Sequence, residues 1–222
     1  MTNPATLPRR IATAATAGLL ASCSVLGIRS GYEEAAHTVL VQDGDFEVRR
    51  YEDALVARTT TTGDLGEAGN AAFRRLGGYI FGDNVTRDSI AMTTPVFQEE
   101  VAPAESGGES ESIAMTTPVF QEETDEGTWV QTFVLPREYT METLPIPTDP
   151  NVELAVLPGV EVAVVRYSGF RSHGSIEEQA ERLRAWMAEQ GLVAAGDPRA
   201  AAYDPPWTLP FLRRNEVQIP VE

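Results

Sequence analysis

The side chains best placed to do chemistry in this 222-residue chain are two histidines, one cysteine and a few arginines. Neither His37 nor His173 has a second histidine, a cysteine or a carboxylate at the spacing a zinc site requires, so the sequence predicts no metal centre. Both are expected as loop histidines, His37 in a tether before the first strand and His173 in the loop before the second helix. Of the two, His173 is the better candidate for a ligand role, because it stands where a loop meets a helix start. Met92 and Met115 fall on the apolar face of strands and read as core gap-fillers. Arg50, Arg74 and Arg75 carry guanidinium groups that stay protonated, so they can pair with carboxylates but cannot donate to a metal. Ordinary solvated surface is an equal reading of the same three. The sequence contains no G-x-S-x-G, no H-E-x-x-H and no phosphate-cradling glycine loop, and Gly77-Gly78 closes a helical run where a phosphate site would open one. No catalytic residue is predicted, and the chain reads as a non-enzymatic protein.

The elements that must position these groups follow from periodicity. Residues 39–41 and 46–51 flank an Asp-Gly turn signal, and residues 54–62 are β-branched, so three strands are expected. From Asp64 the period becomes helical, with Leu65, Ala68, Ala72, Leu76 and Ile80 on one face and a break at Gly82. Phe73, Leu76, Tyr79, Ile80 and Phe81 give this helix more apolar residues than one stripe requires, and the surplus predicts a ligand groove lined by Phe73, Leu76 and Tyr79 or simple packing under a strand. Residues 128–135 form another strand, and residues 138–150, with three prolines, an extended connector. The pattern then returns: strands at 152–157 and 160–167, a helix opened by a capping box at residues 175–178 and stopped at Gly191, and strands at 200–203 and 216–221. The proline-rich aromatic stretch at 204–211 predicts a rigid packed lid. Each half thus reads strand, strand, helix, strands. The fold class is α+β: a distorted antiparallel β-barrel or curved sheet with two packed helices and a pseudo-twofold repeat.

Residues 89–100 and 112–123 are the same dodecamer, S-I-A-M-T-T-P-V-F-Q-E-E. Each copy alternates like a strand. The Gly/Ser/Glu-rich residues between them predict a solvated loop, giving a long-looped hairpin with identical arms.

Residues 1–22 differ in kind. Arg9 and Arg10 precede an apolar run of about a dozen residues, too short for a bilayer of roughly 30 Å and suited to a signal peptide. Leu20-Ala21-Ser22-Cys23 then fits a lipobox, so Cys23, the single cysteine, is the predicted lipidation site. The expected organisation is a signal peptide at 1–22, a tether at 23–38 and a folded domain at 39–222, held on a membrane surface of the cell envelope by acyl chains. Lysine is absent, and 17 basic residues face 33 acidic ones for a formal charge of −16, which excludes nucleic acid as a partner.

Several blocks in order, F-E-V-R-R-Y, F-R-R-L-G-G-Y-I-F-G-D-N, I-A-M-T-T-P-V, F-V-L-P-R-E-Y, L-P-I-P-T-D-P-N-V and Y-D-P-P-W-T-L-P-F-L-R-R-N-E-V, resemble the SOUL/haem-binding protein family over residues 32–221. The resemblance implies a distorted barrel with two helices and an apolar surface that takes haem or another tetrapyrrole. Some animal members carry a proposed axial histidine directly after their Y-E-I-R segment; that position is Arg50 here, so ligation by that route is absent. Basic side chains facing propionates remain as the implied mode, with Arg50, Arg74 and Arg75 as candidates. An envelope scaffold or protein-partner domain without haem is the alternative, and an enzyme of tetrapyrrole handling a weaker third.

Overall fold

The computed structural model describes residues 32–87, 109–205 and 207–222. The expected signal segment at residues 1–22, Cys23 and the first dodecamer copy lie outside the described residues. Among the described residues, thirteen strands and two α-helices run in the order β1 (Glu33–Glu34), β2 (His37–Asp43), β3 (Phe46–Tyr51), β4 (Ala54–Thr62), α1 (Leu65–Phe81), β5 (Asn84–Val85), β6 (Thr116–Thr117), β7 (Val119–Asp125), β8 (Thr128–Val134), β9 (Ile146–Pro147), β10 (Glu153–Leu157), β11 (Glu161–Tyr167), α2 (His173–Gln190), β12 (Arg199–Ala202) and β13 (Asn215–Pro220).

Nine strands form one sheet in the order β10-β4-β8-β7-β12-β13-β11-β3-β2, all neighbours antiparallel. Leaving out β2, this order is a palindrome. Exchanging β3 with β10, β4 with β11, β7 with β12 and β8 with β13 reverses the list, and exchanges α1 with α2. The predicted pseudo-twofold therefore exists, and its axis passes through the β7–β12 pair. Each half lends its leading strand to the other: β3 pairs with β11, and β10 with β4.

The sheet curls. Tyr51 on β3 and Phe120 on β7 are four strand positions apart, about 19 Å in a flat sheet, yet their rings meet edge to face at 6.3 Å. The inner face is closed by Val56, Phe120, Val134, Val162 and Val164. Alternate residues of the same strands point outward under the helices. Ala163, Val165, Val217 and Ile219 pack on Ala180, Leu183, Trp186 and Met187 of α2. Ala57 and Phe133 pack on Leu76, Tyr79 and Ile80 of α1. Strand period two and helix period 3.6 thus meet on the outer face as the sequence predicts.

An unpredicted polar cluster lies inside the curl. Arg49 and Glu216, 2% and 0% exposed, form two hydrogen bonds of 2.8 and 3.0 Å. Glu216 also accepts from Tyr203 Oη at 2.8 Å, Arg214 Nε at 2.9 Å and Gln218 Nε2 at 3.1 Å. These two buried charges are thereby paired, as burial demands.

Three local expectations change. The second helix is capped by Ser172, not Ser175: Ser172 Oγ accepts from Ser175 N–H at 3.2 Å, and Ser175 Oγ accepts from Ser172 N–H at 2.9 Å. The capping box sits one turn earlier because serine serves as well as glutamate at its inner position, and His173 becomes the first helical residue. The fold also begins before residue 39: β1 pairs in parallel with β6, and β2 starts at His37. The second dodecamer copy is not one continuous strand. Pro118, after a cis peptide bond, separates β6 from β7, since proline has no N–H to give a ladder.

Candidate ligand-binding cleft

Both helices start at the same end of the molecule, on either side of the β7–β12 seam. The cavity between them has a volume of about 630 Å³, within the range of small-molecule sites. One wall is the first turns of α1, with Leu65, Gly69, Asn70 and Phe73; the other is residues 170–173 at the start of α2. Outward-facing Val119 and Gln121 of β7, Gln131 of β8, Ala202 of β12 and Asn215 of β13 make the floor, and Tyr203, Trp207 and Arg213 stand at the side. Gly69 permits the close approach of α1 to that floor, since a Cβ there would lie 3.2 Å from Gln121 Nε2. Met115 enters from the second dodecamer copy, packed against the α1 core.

The lining carries charges of both signs, Asp64 and Asp204 beside Arg171 and Arg213. Each helix presents the positive end of its dipole to the cleft, though the first free N–H groups of α1 are already capped by Asp64, which accepts from Gly66 and Glu67 at 2.8 Å. Arg171 is half-buried on the wall, and among the described residues it pairs with no carboxylate. Desolvation lowers its affinity for a proton below the usual arginine value, and the neighbouring Arg213 guanidinium adds to this. A desolvated cation of this kind is stabilised by a carboxylate or phosphate arriving with a ligand. Tyr203 is not a free phenol: burial pushes its hydroxyl well up, and Glu216 nearby adds to the shift.

The residues singled out in the sequence divide sharply. Phe73 and His173 line the cleft. His173 lies at the rim, its side chain 58% exposed with Nε2 3.1 Å from Glu177. Leu76 and Tyr79 are instead 0% and 1% exposed in the α1 core, and Tyr79 Oη donates to Pro145 O at 3.0 Å. They face the sheet because their helical positions fall on the buried stripe. Arg74 is exposed on α1 and does not line the cleft. Arg50 lies on β3, near the far edge of the sheet from β7, and pairs with Glu161 of β11. Arg75 pairs with Asp149. The aromatic stretch after β12 is not packed as expected: Trp207 and Phe211 are 57% and 70% exposed. Sequence reasoning missed Arg171 and Phe170. The available signal was a bulky Phe-Arg pair immediately before a helix cap, at the position symmetric to the entry of α1.

Among the described residues no group of three or more His, Cys, Asp and Glu is arranged to hold a metal ion. No described helix is long and apolar enough to cross a membrane.

Comparison with known proteins places this architecture. The family described as SOUL heme-binding protein matches residues 32–220. The crystal structure of the EcmrR C-terminal domain superposes with a TM-score of 0.54 at 14% identity, covering 80% of this chain and 96% of that one. A hydrolase from Listeria innocua superposes at 0.51 and 13% identity, covering 82% and 94%. At such identities the likeness is one of fold. No curated protein matches the chain.

Proposed function

The chain belongs to the SOUL heme-binding protein family, and on that premise we propose that the inter-helix cleft reversibly binds haem or another carboxylate-bearing tetrapyrrole, without catalysis. The observation that carries this reading is Arg171, a desolvated guanidinium with no carboxylate partner among the described residues, set in a cavity with apolar walls. The lining fits such a ligand: Leu65, Phe73, Met115, Val119, Phe170 and Trp207 supply apolar and aromatic contact for a planar body, and Arg171 and Arg213 supply partners for its propionates. Bound haem would bring an iron centre. The only imidazole on the lining is that of His173, whose Nε2 faces Glu177, so apolar contact and charge pairing carry the binding.

The second half of the proposal concerns placement. The basic pair, apolar run and lipobox that end at Cys23 support a lipoprotein tethered to a membrane surface of the cell envelope. Hemin titrated into residues 24–222, which contain every described strand and helix, tests the ligand. Saturation at one equivalent with a shifted Soret band is expected. Weak, non-saturating absorbance changes would sink the tetrapyrrole reading and favour an envelope scaffold or partner-binding domain.

A further inference from the structure

Three of the four exposed Phe and Trp side chains of the described residues, Phe170, Trp207 and Phe211, stand on two adjoining loops beside the cleft, together with exposed Leu209. The platform under them is fixed. Gly169 N–H donates to Pro210 O at 2.9 Å, and Asn215 Nδ2 donates to Gly169 O at 3.1 Å. Thr208, 1% exposed between Trp207 and Leu209, pins the second loop from within, and its carbonyl accepts from Arg213 Nε at 2.8 Å. The guanidinium of Arg213 lies 5.7 Å from the centre of the Phe170 ring.

We propose that this aromatic surface docks on a lipid bilayer and turns the mouth of the cleft toward it. The inference rests on the lipoprotein reading of Cys23. Tyr32, which lines the cleft, is nine peptide steps from Cys23, a reach of at most about 30 Å. A compact domain of this length has a radius of gyration of about 16 Å and so a diameter of about 40 Å. The tether is therefore shorter than the domain, and an acyl chain on Cys23 keeps the cleft end near the lipid. The chemistry at that end suits the membrane interface, where Trp and Phe side chains insert at the headgroup/acyl boundary. Acyl chains anchor the chain without orienting it, and the aromatic loops supply the contact that does. A lipophilic planar ligand could then pass between bilayer and cleft without crossing water.

The test imposes the anchor chemically. Residues 23–222 are coupled through Cys23, the single thiol, to a maleimide lipid in phosphatidylcholine vesicles. Trp129 and Trp186 are buried, at 7% and 5% exposure, so a change in tryptophan emission reports Trp207. The proposal predicts a blue shift and quenching by lipids brominated near the headgroup. Both should be absent in W207F and return to the untethered level in F170S/F211S, whose parent side chains are 71% and 70% exposed and leave the core intact. Emission and quenching identical with and without tethering would overturn it. A dimer in solution with Trp207 already shielded would also overturn it and assign the surface to a second copy. Docking under the imposed anchor, together with a cell-derived chain carrying no acyl group on Cys23, would sustain the surface and refute only the lipoprotein reading.

Discussion

Replacing Arg171 by leucine should raise stability and weaken binding together. Arg171 is half-buried, has no carboxylate partner among the described residues, and is held near the like charge of Arg213. Its removal relieves a desolvated cation, a gain of about 1 kcal/mol, typical of function-compromised positions. For a domain of this size that raises Tm by about 2–4 °C. If the guanidinium meets a ligand carboxylate, the lost charge-assisted hydrogen bond costs about 1.5–3 kcal/mol, or roughly 10–150-fold in Kd. The assay pairs thermal unfolding with Soret titration, using hemin and its dimethyl ester on wild type and Arg171→Leu. Esterification should weaken binding to the wild type by a similar factor and make little further difference to the variant. A variant that melts lower than wild type, or that binds both ligands as wild type does, would refute the reasoning.

The buried pair inside the sheet predicts the opposite sign. Glu216→Gln takes from Arg49 its fully buried anion, leaving it only Glu47 at Nε, and should cost about 3 kcal/mol; urea denaturation decides it. Burial alone would raise the Glu216 carboxyl, but Arg49 and Arg214 outweigh it and hold it below the usual range. A depressed folded value means that the stabilisation is complete above the unfolded value of about 4.3 and is lost as pH falls through the folded one, so the Glu216→Gln penalty should shrink in acid. Leu76→Ala, in the α1 core at 0% exposure, should lower stability by about 2–5 kcal/mol while the folded fraction keeps its hemin affinity. Arg50→Ala breaks an exposed pair with Glu161; it should change stability by about 1 kcal/mol or less and leave the Soret titration unchanged.

The elements were legible because each carries its own period and punctuation. Helix α1 runs from Asp64 to the break at Gly82, and α2 ends at Gly191, in the left-handed conformation. The repeat of strands and helix in each half already implied the pseudo-twofold. The crossed pairing of β3 with β11 and β10 with β4 was not legible, because alternation says which face a residue occupies and nothing about the neighbouring strand. The site was legible in part. Phe73 and His173 reached the cleft, while Leu76 and Tyr79, three and six residues beyond Phe73 on the same helix, turned into the core. An apolar surplus on a helix shows that a second face is used but does not say which residues belong to it. Arg50 and Arg74 have the charge to face a propionate but not the place; Arg171 matters through its missing partner, which only three dimensions reveal. The Arg49–Glu216 pair was hidden for the same reason, its members being 167 residues apart.

Location of the ligand is the most direct test of the account. Hydrogen exchange on residues 24–222, with and without saturating hemin, should show protection concentrated in the first turns of α1, in residues 115–121, at 169–176 around the start of α2, and at 203–213. Protection along β3 around Arg50, or over the outer face of α1 around Arg74 with the cleft unchanged, would contradict it.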